Sequence, residues 1–228
     1  MILNDLFFPD KCPFCDALTD KKQTDIAYCN ACPECEKKVK FFQNGGNGAI
    51  SGLECAPSCD KIFCLFSYTG RAKQSLRKYK FGGETWIGKI FYRSMYGMLR
   101  ENGVFEDCLY ITYVPITEER FAERGFDQSK LIAEGLSKLS GRMTLPLIVR
   151  NFQGQRSSEA NAAERALSNE GKYSFEAKYK DYAKGKNILL IDDILTTGST
   201  LEESASCLKA AGCGKIYAAT VATGRRDV

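Results

Sequence analysis

Histidine is missing from all 228 residues. Its absence excludes Ser–His and Cys–His nucleophile pairs and any His-ligated catalytic metal. Proton transfer, where needed, would fall to carboxylates, Lys, Tyr, water or the substrate itself. A second absence is a long apolar run: no uncharged stretch approaches the roughly 20 residues that span a bilayer. Asp5 stands where a secretory signal carries cations, so no signal peptide is expected, and the expected location is the cytoplasm without membrane insertion. A large excess of either charge is also lacking. With 32 Lys and Arg against 28 Asp and Glu, the net charge is only +4, which suits an anionic ligand or weak nucleic-acid contact and demands neither.

Cysteine, by contrast, is abundant and unevenly placed. Eight of the 11 fall within the first 64 residues, leaving Cys108, Cys207 and Cys213 beyond. In a cytosolic chain, clustered pairs are metal ligands rather than disulfides. Cys12 and Cys15, then Cys32 and Cys35, form two Cys-x-x-Cys knuckles 16 residues apart, a tetrahedral zinc pattern with no open coordination position. Such a zinc is structural. Cys29 with Cys32 is an alternative second pair, and Cys55 and Cys59 offer a further Cys-x-x-x-Cys. The reading adopted is one zinc on Cys12, Cys15, Cys32 and Cys35, with Cys64, Cys108, Cys207 and Cys213 as buried apolar residues.

Residues 1–60 therefore read as a Cys-rich zinc-finger module, with a Gly- and Asn-rich linker at 43–52, and residues 61–228 as a separate domain. In the latter, 61–68, 109–114, 145–150, 187–191 and 215–221 read as strands. Segments 71–79, 86–100, 128–139 and 199–211 read as helices, and 153–169 as a polar loop with a helix possible within it. Strands alternating with helices define an α/β fold with a parallel sheet flanked by helices.

The sharpest signal begins at Ile188. An apolar strand reaches Asp192 and Asp193, then Thr196, Thr197, Gly198, Ser199 and Thr200 open a helix. Ligands of open α/β sheets sit beyond the carboxyl ends of strands. Backbone N–H groups, hydroxyls and a helix N-terminus together make an anion cradle, Gly198 lets the backbone approach a phosphate closely, and a sugar diol would satisfy the paired acids. The bland alternative is a helix cap beside two solvated carboxylates.

This string resembles the PRPP-binding signature of type I phosphoribosyltransferases. The resemblance implies that Asp192 and Asp193 hold the ribose 2′- and 3′-hydroxyls and that Thr196 to Thr200 wrap the 5′-phosphate. Mg²⁺ would ride largely on ligand oxygens. In the 6-oxopurine salvage enzymes of that superfamily the third residue after the acid pair is an Asp; here it is Thr196, which counts against that substrate. A second segment carries Val114, Pro115, Arg120, Arg124, Gly125, Phe126, Asp127 and Gln128. It is similar to the Val-Pro … Arg-x-x-x-Arg-Gly-Phe-Asn-Gln segment of the ComF family of competence-associated and GntX-like proteins, with Asp127 replacing the family's Asn. Tyr68 to Gly70, Lys78 to Gly83, and Arg150, Gln155 and Arg165 match further pieces in order, as does the N-terminal finger.

That resemblance implies a PRPP-binding protein, with Arg120 and Arg124 near the diphosphate, accessory to natural competence and DNA uptake. Single-stranded DNA and other competence proteins would be its partners. The alternative is an active Mg-dependent phosphoribosyltransferase acting on a nucleobase or amine. No residue stands out as a catalytic base.

Overall fold

The structure is a computed structural model and describes residues 11–19, 31–42, 49, 53–151 and 171–225. Asp5, Cys29, most of the 43–52 linker, Gln155, Arg165 and the 153–169 segment lie outside the described residues.

Five strands form one parallel sheet in the order β1-β7-β6-β2-β3. They are β1 (Lys61–Ser67), β2 (Tyr110–Tyr113), β3 (Met143–Thr144), β6 (Ile188–Leu195) and β7 (Ile216–Thr223). Alternation along the central strands feeds two apolar layers. Leu189 and Ile191 of β6 and Tyr217, Ala219 and Val221 of β7 face one layer, while Ile188, Leu190, Ile216 and Ala218 face the other. Strands covered on both faces read as continuous apolar runs, which is why β6 and β7 were legible.

Two long helices cover the first face, α3 (Thr85–Glu101) and α6 (Gln128–Ser140), beside α2 (Gly70–Phe81). Their buried residues Leu76, Phe91, Met95, Ile132 and Leu136 share its cluster. Helix α8 (Ser199–Ala210) covers the second face with Leu201, Ala205 and Leu208. In chain order the path runs from β2 outward to β3, then returns to the other side of β2 as β6. The crevice between the carboxyl ends of β2 and β6 is thus the switch point, where open α/β sheets take ligands.

The chain departs from the sequence expectations in three places. The strand expected at 145–150 divides, because Pro146 has no N–H for a ladder. Leu145 N–H still bonds Ile111 of the main sheet, next to β3, while β4 (Ile148–Arg150) pairs antiparallel with β5 (Tyr173–Phe175) in a separate two-stranded sheet. Strand β6 does not stop before the acids: pairing of Asp192 with Thr220 and Leu195 with Thr223 carries it through them. Short helices also appear where none was placed, namely α4 (Val104–Asp107), α5 (Glu118–Arg124) and α7 (Lys180–Ala183). Helix α5 is started by Thr117, whose hydroxyl accepts the Arg120 N–H, and stopped by left-handed Gly125.

The Cys-rich segment, with α1 (Pro33–Lys38), packs onto the first layer. Phe14, Phe41 and Phe66 meet edge to face, with centroids 5.6 to 6.1 Å apart. Phe42 N–H donates to Leu65 and Ser67 N–H to Lys40, so residues 40–42 cover the otherwise open edge of β1. Residues 53–60 reach the second layer, where Ala56 and Cys59 are buried.

Packing of α3 on α6 depends on a bare position. A Cβ at Gly135 would lie 2.2 Å from the Tyr92 ring. Alanine gains about 1 kcal/mol of helix propensity over glycine, but overpacking costs about 1–3 kcal/mol. The contact is with the near edge of the ring, so backbone must move. Gly135→Ala is therefore expected to be net destabilising by up to about 2 kcal/mol in denaturant unfolding; a stability gain would show that the two helices are not so closely packed.

Candidate functional site

Strand β6 delivers Asp192 and Asp193 to the switch point, two carboxylates on consecutive residues. Asp192 is buried, accepting the Ser129 hydroxyl at 3.4 Å and the Asp193 backbone N–H at 2.8 Å. Burial, then the neighbouring Asp193 charge, pushes its carboxyl far above the usual carboxylate range, to about 8. Asp193 is held differently: Lys80 at the end of α2 places its Nζ 2.8 Å from Asp193 Oδ2, with both side chains largely buried. The role of Lys80 was missed in the sequence, although the residue lies inside the Lys78-to-Gly83 string; nothing in the linear order joins it to an acid 113 positions away.

The loop after β6 is built as a turn of hydroxyls. Thr197 Oγ1 lies 3.0 Å from Ser199 Oγ and accepts the Ser199 N–H at 3.4 Å. Thr196, Thr197 and Ser199 are exposed and Thr200 half-buried. Gly198 is left-handed, with φ at 90°. Its bareness has a cause within the protein, because a Cβ there would lie 2.3 Å from the Cys55 carbonyl oxygen. Ser58 fastens the same turn, donating through its backbone N–H and hydroxyl to Glu202 at 2.8 and 2.7 Å. Residues 53–58 thus back the loop from below, leaving its hydroxyl side open.

The arginines sit apart from the acids. Arg124 donates to Gln128 Oε1 at 2.7 Å and lies over the Phe81 ring, 4.8 Å from its centroid. Arg120 is exposed on the same helix. Among the described residues neither bonds Asp192 or Asp193. Asp127, where the family has Asn, is the N-cap of α6: it accepts Lys130 N–H at 2.9 Å and Ile116 N–H at 3.3 Å. Burial pushes its carboxyl up from the ordinary range. It ties the β2–α5 loop to α6, a task that needs an acceptor and no ligand.

A cleft of about 670 Å³ opens beside these groups, between Tyr113, Pro115 and Glu119 on one wall and Ile148, Arg150 and Lys172 on the other. Its lining does not include Asp192, Asp193 or the 196–200 loop. It begins next to them, since Tyr113 pairs with Ile191 in the sheet.

The second constellation is the cysteine cluster. The sulfurs of Cys12, Cys15, Cys32 and Cys35 all lie within 4.8 Å of one another, and Cys15 and Cys32 are 3.6 Å apart. Tetrahedral zinc with Zn–S bonds of about 2.3 Å separates its sulfurs by about 3.8 Å, so the donor set fits that ion. Backbone turns shape it: Asp16 N–H returns to Cys12, and Cys32 caps α1 with Pro33 in its first turn. Arg71 adds an N–H bond to Cys35 Sγ at 2.9 Å. Among the described residues no other group of this kind occurs. Cys59, Cys64, Cys108, Cys207 and Cys213 are buried thiols whose burial pushes them up to about 11 or 12.

Comparison with known proteins agrees with this geometry. A phosphoribosyl transferase domain is matched over residues 133–228, and the parallel sheet flanked by helices agrees with that fold. Competence protein F of Haemophilus influenzae is 24% identical over 223 residues, 92% of this chain and 95% of that one. Competence protein ComFC of Bacillus subtilis is 34% identical over 145 residues, and ComFC of Streptococcus pneumoniae 30% over 148. These alignments take in 63% and 65% of this chain and span 56% and 61% of the two relatives. The chain is thus similar in sequence to ComF-type competence proteins.

Two outcomes follow. Metal analysis of protein purified without chelator is expected to give one zinc per chain, and Cys12→Ser to release it, because a structural site lacking one thiolate loses much of its affinity; zinc-free wild type would contradict the assignment. Asp192 carries a folded-state pKa above its unfolded value of about 3.9. Its burial penalty is therefore absent at low pH, grows as pH rises and is complete only above about 8. Asp192→Asn should accordingly stabilise the ligand-free protein more at pH 8.5 than at pH 6 in denaturant melts. An equal change at both would show that the wild-type carboxyl is not raised.

Proposed function

We propose that this chain binds a 5-phosphoribosyl ligand, PRPP foremost, and serves as an accessory protein in competence and DNA uptake. The observation that carries the reading is the order of groups on β6 and α8: two buried-edge carboxylates, then a hydroxyl turn at the start of a helix, all at the sheet's switch point. A ribose diol donates two hydroxyls to Asp192 and Asp193. The 5′-phosphate takes the Thr196–Thr200 cradle, where hydroxyls, backbone N–H groups and the helix N-terminus favour an anion. Mg²⁺ is supplied with PRPP and neutralises its diphosphate. Arg120, exposed on α5, and Arg124 are close enough in sequence to the crevice loop to meet that diphosphate once it is bound.

The structural zinc holds the finger, and the protein works in the cytoplasm, where PRPP and incoming single-stranded DNA would meet. The basic helix α2 and the finger are the surface offered to DNA and to other competence proteins, whose contact would be salt-sensitive. Transfer of the ribosyl group to an acceptor remains the second reading. The cleft beside the acid pair gives an acceptor room, and positioning with charge neutralisation would do the chemistry. Pyrophosphate release on incubation with nucleobases or amines distinguishes it from binding alone.

Calorimetric titration with Mg²⁺ and PRPP tests the core of this reading. Asp192→Asn with Asp193→Asn is expected to abolish binding while the fold persists. Thr197→Val removes one hydroxyl at constant shape and should weaken PRPP and ribose-5-phosphate by about tenfold, the worth of one charge-assisted hydrogen bond. Ribose without the phosphate should be indifferent to it. Wild-type affinities in both variants would reduce the loop to a helix start.

A further inference from the structure

Helix α2 carries cations that reach two different sites. Near its start, Arg71 donates through Nη1 to Cys35 Sγ at 2.9 Å and through Nη2 to Glu34 Oε1 at 3.1 Å. Lys78 pairs with Asp16, the residue after Cys15. In the last turn, Lys80 Nζ lies 2.8 Å from Asp193 Oδ2. Nine residues of helix separate Arg71 from Lys80, about 13.5 Å at 1.5 Å per residue. The inner face between them is fixed: Ala72, Ser75, Leu76 and Tyr79 are buried, and Tyr79 donates its hydroxyl to the Gln128 carbonyl at the start of α6. One rigid rod thus spans from the thiol cluster to the acid pair.

Four thiolates around one Zn²⁺ leave a net charge of −2, and Arg71 supplies a cation against it through a direct N–H to sulfur bond. At the other end, Lys80 is the cation that fixes Asp193 beside an already buried carboxyl. From this placement we propose that α2 couples the two sites, so that filling the thiol cluster and binding a phosphoribosyl ligand strengthen each other. Arg71 ties the metal to the helix, and Lys80 is a positioning residue that sets Asp193 for the ribose diol. The inference rests on the ribose-acid reading given above. Coupling of this kind is reciprocal: the factor by which zinc raises ligand affinity equals the factor by which ligand raises zinc affinity.

Two titrations on the full zinc-loaded chain test it. The first measures ribose-5-phosphate by calorimetry with and without zinc, near-UV dichroism confirming that the α/β domain stays folded. The second measures zinc transfer to a chromophoric chelator with and without ribose-5-phosphate. A common factor of about fivefold or more is expected in both. Arg71→Gln should lower zinc affinity by about 10- to 100-fold, as loss of a group bonded to a metal ligand does, and bring the coupling factor close to one. Lys80→Met should weaken ribose-5-phosphate about tenfold while leaving zinc affinity unchanged, a split that general loss of stability would not produce. A wild type that binds zinc and ribose-5-phosphate independently would overturn the coupling and leave the ligand reading standing. Wild-type zinc affinity in Arg71→Gln would do the same. Failure of the wild type to bind ribose-5-phosphate at all would overturn both.

Discussion

Two carboxylates on consecutive residues at the tip of a buried parallel strand are the constraint around which this molecule is arranged. Charge there is expensive unless it is met by donors or a cation. The structure meets it from three sides: the Ser129 hydroxyl from α6, the Asp193 backbone N–H from β6 itself, and Lys80 from α2. Burial nonetheless keeps the Asp192 carboxyl well above its ordinary range. Asp192 accepts two hydrogen bonds among the described residues, and the ribose diol proposed above would supply further donors.

The N-terminal finger packs along the helix that carries Lys80. Lys80 reaches Asp193 from the last turn of α2, whose first turn is held by Cys35 and Glu34 through Arg71. The Phe14, Phe41 and Phe66 rings continue the contact into the sheet; edge-to-face pairs are worth about 0.5–1.5 kcal/mol each beyond their buried area. Residues 40–42 close the β1 edge. Cys12, Phe14, Cys35 and Phe41 thus share the apolar layer that α2 and α3 cover. On the opposite layer, the turn at 53–58 plays a matching part for the phosphate loop, through Cys55 against Gly198 and Ser58 against Glu202.

Much of this was legible in the chain because it is local. Ile188 to Ile191 announce a buried strand by their unbroken apolar run, Asp192 to Thr200 carry their chemistry in one string, and the two Cys-x-x-Cys knuckles state their own ligand geometry. What the linear order hides is pairing across distance. Lys80 with Asp193, Arg71 with Cys35, and Cys55 with Gly198 join residues far apart in sequence, and each changes the meaning of a residue that had been read alone. Gly198 is bare because Cys55 passes beneath it. Asp127 is an acid because it caps α6 and holds Ile116. The split of the 145–150 segment could have been anticipated, since Pro146 sits inside it.

The central claim is that the acid pair and the hydroxyl loop hold one phosphorylated ribose. Amide hydrogen exchange of the zinc-loaded chain, with and without saturating Mg²⁺ and PRPP, tests this most directly, because exchange reports opening segment by segment. Slowed exchange is expected in the 192–202 segment, extending to the last turn of α2 at Lys80, while the β4/β5 pair and α7 change little. Unaltered exchange in 192–202, or protection confined to some other part of the chain, would contradict the account.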